Sequence, residues 1–293
     1  MMLRHFLLSA WEWDPSIIIG CAILLIAYLV LIGSRFNKRS LYYLLGLAIF
    51  FLALVSPLDE LGDEYLFSAH MLQHILFILV VPPLLILGIP KWLAEKGMKY
   101  AFFRKTEHFF NRPLIAWIAA AGAMWFWHAP PIFNAALANE TIHIIQHLSL
   151  VVAGTIFWWY VIDPLKENDT HPLSMVLFLF TACIACTLLG ILIAYSSPGI
   201  YPAYLNPADP WGILPILRNQ WGLSPLADLQ IGGLLMWVPA CFIYITGIIG
   251  LLVRWYSEKE EVELPAPKPQ TNSLNLADNN KSEIREKTNE RSE

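Results

Sequence analysis

The residues best suited to chemistry in this sequence are two copies of the string His-x-x-Gln-His. His70 and His74 form HMLQH, and His143 and His147 form HIIQH. On a helix, side chains four residues apart lie on one face, so each pair could hold a metal ion, or supply one ligand and a partner for it. Because imidazole nitrogens bind copper, zinc and iron, the repeated motif predicts a metal or haem site.

Other polar residues occur near the same ends of the helices that would carry these motifs. His128, in WHAPP, is a further candidate metal ligand. Asp59 and Asp228 are candidates to bind the cation or to orient the histidines as hydrogen-bond acceptors. The remaining acids beside Asp59 are interpreted as a solvated loop: Glu60, Asp63 and Glu64.

Sulfur-containing residues give a weaker indication. Cys183 and Cys186 form a Cys-x-x-Cys string inside an apolar stretch, and Met71 and Met236 lie near the ends of others. Sulfur favours Cu(I), but a single such string lacks the second pair of a zinc site, and buried cysteine or methionine is more often packing. The role of this sulfur therefore stays open from sequence.

The elements that must position these residues are membrane-spanning helices. The chain is 57% hydrophobic and 14% charged, with a mean hydropathy of +0.53, which is typical of a polytopic membrane protein and predicts an all-α helix bundle. A net charge of -4 indicates no nucleic-acid-binding surface. Residues 1-257 are predicted to form the transmembrane domain, and the polar residues 258-293 a disordered cytoplasmic tail.

Seven stretches are apolar enough to cross a bilayer, although the second and fourth are short. They are Ser16 to Gly33, Leu41 to Val55, Phe67 to Ile89, Leu114 to Trp127, Ile142 to Ile162, Leu173 to Tyr195, and Ile231 to Trp255.

The orientation follows from the basic residues in the short connections, because an excess of Lys and Arg marks the cytoplasmic side. The first connection carries Arg35, Lys38 and Arg39, and the third carries Lys91, Lys96, Lys99, Arg104, Lys105 and Arg112. Lys166 in the fifth connection and Arg254 at the end of the last span agree with this assignment, whereas the sixth connection contains Arg218. The pattern predicts the N-terminus and the histidine motifs outside, and the C-terminus inside.

Together these strings resemble one family, the multi-span CtaG-type cytochrome c oxidase assembly factors of bacteria. The resemblance runs from about Ser56 to Pro239 through SPLDELGDEYLFSAHMLQH, VPPLLILGIP, WHAPPIFNAAL, HIIQHLSLVVAGTIFWW and GLSPLADLQIGGLLMWVP. Departures from the family pattern at Leu229 and Phe133 replace no histidine.

The resemblance implies a nonenzymatic protein of the bacterial plasma membrane that handles copper on the outer face for a nascent oxidase subunit. Carried over by motif, the implied positions are His70, His74, His128, His143 and His147, with Asp59, Asp228 and Gln230 in support.

The residues alone leave alternatives open. A b-type haem protein or membrane oxidoreductase would use one histidine from each motif as axial ligands. A di-iron hydroxylase lacks its HxxHH box, and a metal transporter would need ligands continuing across the membrane. The resemblance favours the copper-handling role over haem binding.

Overall fold

The computed structural model describes residues 2-165 and 170-263, and this part of the chain forms helices and turns without a strand. The helices of its first half are α1 (Met2–Ser9), α2 (Pro15–Ile32), α3 (Lys38–Val55), α4 (Pro57–Glu60), α5 (Phe67–Ile75), α6 (Val81–Leu87), α7 (Lys91–Met98) and α8 (Ala101–Phe110). Those of the second half are α9 (Pro113–His128), α10 (Pro130–Leu137), α11 (Glu140–Ile162), α12 (Pro172–Ala194) and α13 (Pro225–Glu263). The predicted polytopic helix bundle is confirmed.

Six helices of the described residues are long and apolar enough to cross a membrane. They are α2, α3, the continuous segment Phe67–Leu87, α11, α12 and the Pro225–Ser257 part of α13. The predicted fourth span corresponds to α9, which has 16 residues. At about 1.5 Å per residue, α9 is shorter than the hydrocarbon core is thick. α9 runs from the third connection to the histidine motifs, as a span would, but it is not among the six helices that are long enough. The total of seven spans therefore stays a prediction.

Contacts between connections group five of the six at two ends of the bundle, in the arrangement that the alternation predicts. Arg35 of the first connection lies 4.7 Å from the ring centre of Trp92 in the third, so these two basic connections share one end. At the opposite end, Tyr204 of the sixth connection donates to the Gly62 carbonyl in the second, at 2.7 Å. The amide of Asn134 in the fourth connection donates to the Ile200 carbonyl in the sixth, at 3.3 Å. Which end faces outside stays a prediction, and Lys166 lies outside the described residues.

The α5 to α6 segment is interrupted by a π-helical turn, Leu76–Val80, followed by Pro82. The Ile78 carbonyl has no helical donor, because the prolines at positions 82 and 83 carry no N–H. The indole of Trp158 on α11 donates to that carbonyl at 3.1 Å. A side chain at Gly154 would bring its first carbon to 2.5 Å from the same oxygen, so only glycine permits this approach. The two motif-bearing helices are thereby packed together.

The sixth connection, residues 195-224, folds over the end of the bundle that carries the histidines. Tyr201 donates to the His128 carbonyl at 2.8 Å, and its ring stacks on Phe67 with 4.8 Å between centroids. Arg218 donates to the carbonyls of Tyr204 and Leu223 at 2.8 and 2.5 Å. The one basic residue of this predicted outer connection therefore stabilises the fold of the connection itself.

The chain divides into two compact units, Met1–Leu251 and Leu252–Glu293. Within the second unit the structure describes a helical stretch that ends at Glu263, past the predicted start of the polar tail at residue 258. The other residues of that tail lie outside the described part, so its disorder and location stay predictions.

Candidate metal centre

The five predicted histidines converge at one end of the bundle. The ring centroids of His70 lie 4.4 Å from His74, 5.2 Å from His143 and 5.5 Å from His147. His74 in turn lies 5.1 Å from His128, and His143 lies 4.1 Å from His147. The side chains come from α5, α9 and α11, so the two HxxQH motifs and WHAPP form one cluster.

The cluster is enclosed by protein, although one side is more open. His70 and His74 are fully buried, and His128 and His147 are 3% and 5% exposed. The side chain of His143 is 15% exposed and that of Asp63 is 30% exposed. The more accessible side of the cluster therefore lies where Asp63 and His143 meet.

Several imidazole nitrogens of the cluster are buried without a hydrogen-bond partner among the described residues. These atoms are the Nε2 atoms of His70, His74, His143 and His147, together with His70 Nδ1, which has only a 3.5 Å contact with Asp63 Oδ1. Buried polar atoms are normally satisfied, because leaving one without a partner costs about 1–3 kcal/mol. Nitrogens that point toward one another in this way suit a shared cation.

Two groups of three side chains have ligand atoms within 4.8 Å of one another. The outer triad consists of Asp63, His70 and His143, and the middle triad consists of His70, His74 and His147. His70 belongs to both groups. Three protein ligands are the number found in open metal sites, where a fourth position is left for an exchangeable ligand.

Asp63 corrects the interpretation of its loop as solvated. Its carboxylate lies between the two motifs, with Oδ1 3.5 Å from His70 Nδ1 and Oδ2 3.4 Å from His143 Nδ1. The π-helical turn Leu61–Tyr65 directs it there. Burial raises the pKa of Asp63 to about 6, and the neighbouring His143 opposes that rise. Of the other two acids, Glu64 is exposed, whereas Glu60 is partly buried and accepts from Trp211 Nε1 at 2.9 Å.

His128 is oriented by its own helix. Its Nδ1 lies 2.6 Å from the Met124 carbonyl, one turn earlier, and Nδ1–H donates to that oxygen. The Nε2 atom then carries the lone pair and lies 3.3 Å from His74 Nδ1 and 3.1 Å from Met71 Sδ. A backbone carbonyl that accepts from the second ring nitrogen is the usual support of a metal-binding histidine.

Asp59 lies beside the cluster as a partner of Gln73. The Gln73 amide nitrogen donates to Asp59 Oδ1 at 2.7 Å and to the Ala53 carbonyl at 2.8 Å. Burial raises the pKa of Asp59 to about 8, and the negative charge of Asp63 adds to that rise. The structure thus places Asp59 as a support for α5, and its predicted contact with a cation is untested.

Asp228 lies on α13 and caps α5. Its carboxylate accepts from the backbone N–H groups of Phe67 and Ser68 at 2.8 and 3.0 Å, and from the Ser68 hydroxyl at 2.5 Å. Both oxygens are thus occupied by the first turn of the helix that carries HMLQH. Gln230 is exposed, so neither residue joins the histidine cluster.

The cysteines of the Cys-x-x-Cys string face different partners. Cys183 Sγ lies 2.9 Å from Cys241 Sγ on α13, and Cys186 donates to the Met236 carbonyl at 3.0 Å. Neither cysteine belongs to the two triads.

Sequence reasoning missed Asp63 as a neighbour of the histidines, and it missed Tyr201 and Tyr204, which donate to the carbonyls of His128 and Gly62. The available signal was the spacing of Asp63, seven residues before His70, and the proline-flanked tyrosines of an unusually long connection. Neither signal shows by itself which way a side chain points.

Comparison with known proteins gives a family and distant relatives. The model of the cytochrome c oxidase caa3 assembly factor family matches residues 25–258. A protein of Mycobacterium bovis and one of Mycobacterium tuberculosis, both described as uncharacterized, are each 22% identical over 279 residues, which cover 87% of this chain. An uncharacterized protein of Mycobacterium leprae is 23% identical over 214 residues, or 67% of this chain.

The chain spans 40% of the length of the first two relatives and 31% of the third. No solved structure matches it. Proteins of the matched family assist the assembly of another enzyme and are not themselves catalysts. With a match over most of its length and a multi-pass helix bundle, this chain belongs to the cytochrome c oxidase caa3 assembly factor family.

Proposed function

We propose that this protein binds copper in the histidine cluster, at the outer face of the bacterial plasma membrane, and delivers it to a nascent subunit of haem-copper oxidase. The observation that carries the proposal is the convergence of five imidazoles from three helices, with several buried nitrogens that have no partner. The family assists oxidase assembly, and haem-copper oxidase contains copper, so copper is the metal that we expect this cluster to bind.

The packing of the cluster favours an ion over haem. His70 contacts His74, His143 and His147 directly, with ring centroids 4.4 to 5.5 Å apart. The ring of Phe133 packs 5.2 Å from that of His70. A planar macrocycle between two axial histidines would have to displace these rings, whereas a single ion fits between nitrogens that are already within 4.8 Å.

The open side of the cluster supports transfer. Asp63 and His143 are its partly exposed members, so a cargo ion reaches a partner protein there without crossing the hydrophobic core. An open set of three ligands releases an ion more readily than a closed set of four. The client is expected to approach this face.

The test compares a paired variant with a matched control. His70→Ala with His143→Ala removes both side chains that flank Asp63 and is expected to abolish copper binding by the detergent-purified protein and oxidase activity in cells. The control is His5→Ala with His108→Ala, which removes two exposed histidines outside the cluster. Bound metal is measured by elemental analysis, and oxidase by its optical spectrum and activity.

We expect about one copper per chain in the wild type and in the control, and none in the cluster variant. We also expect no Soret band in any of the three proteins. A Soret band that disappears in the cluster variant would instead identify a haem protein. Normal oxidase activity in a correctly inserted cluster variant would contradict the assignment of the site.

A further inference from the structure

The ligands of the cluster change in chemical character along its length. The outer triad includes the Asp63 carboxylate, a hard oxygen ligand, and the middle triad consists of three imidazoles. At the other extreme, His128 contacts both the thioether of Met71 and the imidazole of His74. Neighbouring sets share a residue, since His70 belongs to the first two sets and His74 to the last two.

The third set, formed by Met71, His74 and His128, is arranged as a preformed ion-binding site would be. His128 Nε2 is 3.1 Å from Met71 Sδ and 3.3 Å from His74 Nδ1, so two other potential ligand atoms lie within 3.3 Å of this nitrogen. The Nδ1–H of His128 is already donated to the Met124 carbonyl, which fixes the lone pair on Nε2. A thioether offers this nitrogen no strong hydrogen bond, so the contact gains little unless a cation lies between them.

The surroundings of these three side chains favour a monovalent ion. Met71 and His74 are fully buried and His128 is 3% exposed, and all three ligand groups are uncharged when the imidazoles are neutral. A low charge costs less to bury than a double charge. Thioether and imidazole ligands suit Cu(I), whereas carboxylate and water suit harder divalent ions.

We propose that Met71 Sδ, His74 Nδ1 and His128 Nε2 form a Cu(I)-selective subsite, distinct from the outer triad of Asp63, His70 and His143. This inference rests on the proposed function, because it specifies where that protein holds its cargo. The ion is carried as Cu(I) throughout, so no electron transfer is required. The outer triad, with its partly exposed carboxylate, is the position through which the ion reaches the surface.

The test replaces one sulfur atom in two matched places. Met71→Leu removes the proposed sulfur ligand and keeps an apolar side chain of similar size. Met236→Leu is the control, because Met236 is equally buried but lies outside the cluster on α13. Cu(I) affinity is measured on the full-length purified protein by competition with a chromophoric Cu(I) chelator under reducing conditions, and Zn(II) affinity is measured in parallel.

Met71→Leu is expected to weaken Cu(I) binding at least ~10-fold and to leave Zn(II) binding unchanged. Met236→Leu should match the wild type for both ions. Equal Cu(I) affinity of Met71→Leu and wild type would overturn the subsite, as would a parallel loss of Zn(II).

X-ray absorption at the copper edge tests the wild-type protein directly, even if Met71→Leu does not fold. A sulfur scatterer in the wild type and in Met236→Leu is expected. Bound Cu(I) with nitrogen scatterers alone would overturn the subsite and leave the proposed function intact. A wild-type protein that binds no copper would overturn both.

Discussion

The two HxxQH motifs share their letters but occupy different surroundings. In the first, on α5, both histidines are fully buried and Gln73 donates to Asp59 and to the Ala53 carbonyl. In the second, on α11, His143 is partly exposed, and the buried amide of Gln146 lies beside His70 without a well-formed hydrogen bond. The first motif is fixed by the scaffold, whereas the second supplies ligands nearer the surface.

The helices that carry the motifs also begin differently. The cap of α11 is local, because Asn139 Oδ1 accepts from the Ile142 N–H at 3.1 Å. The cap of α5 comes from Asp228, 161 residues away along the chain from Phe67, whose N–H it accepts. An identical string can thus be held by local structure in one place and by tertiary structure in another.

The largest expected effect is a loss of metal affinity, and we expect this loss to differ between a histidine of the first motif and one of the second. His70→Gln removes the ligand shared by the outer and middle triads, so metal affinity should fall by about 100-fold or more. His147→Gln affects the middle triad alone and should cost less. Titration of the purified proteins with Cu(I) and Zn(II) measures both losses, and equal losses would show that the two motifs contribute alike.

A smaller effect is expected from the two glutamines. Gln73→Leu leaves the Ala53 carbonyl and Asp59 without their donor and should lower the free energy of unfolding by about 2 kcal/mol. Gln146→Leu removes a buried amide that makes no well-formed hydrogen bond, so it should not lower the free energy of unfolding. Thermal unfolding of the two variants in the same detergent makes the comparison. A large loss for Gln146→Leu would reveal a partner for that amide.

The smallest effect concerns the distant cap. Asp228→Asn keeps one acceptor oxygen but loses the charge and the second acceptor, so it should lower stability by about 1 kcal/mol. Gln230→Asn, at an exposed position on the same helix, is the matched control and should leave stability unchanged. A drop in stability of the control equal to that of Asp228→Asn would argue against a specific role of the cap.

The candidate site was predictable from sequence where helix periodicity determines it. Residues four apart share a helix face, and alternating connections place every second helix end together, so the five histidines were expected at one end of the bundle. The span count was less secure, because α9 is too short to be recognised by length alone. The sequence could not show which acidic side chain of the second connection contacts the histidines, because a loop has no periodicity that indicates where a side chain points.

The sequence alone determined the class of protein, the membrane-spanning character, the repeated motif and the family, because these depend on composition, spacing and order along the chain. Only the tertiary structure showed the role of each acidic side chain. Asp63 lies between two histidines, Asp59 supports Gln73, and Asp228 caps α5. It also brought Met71 to His128. Contacts between helices depend on how the helices pack, and that packing is set by the whole apolar core rather than by the residues that meet.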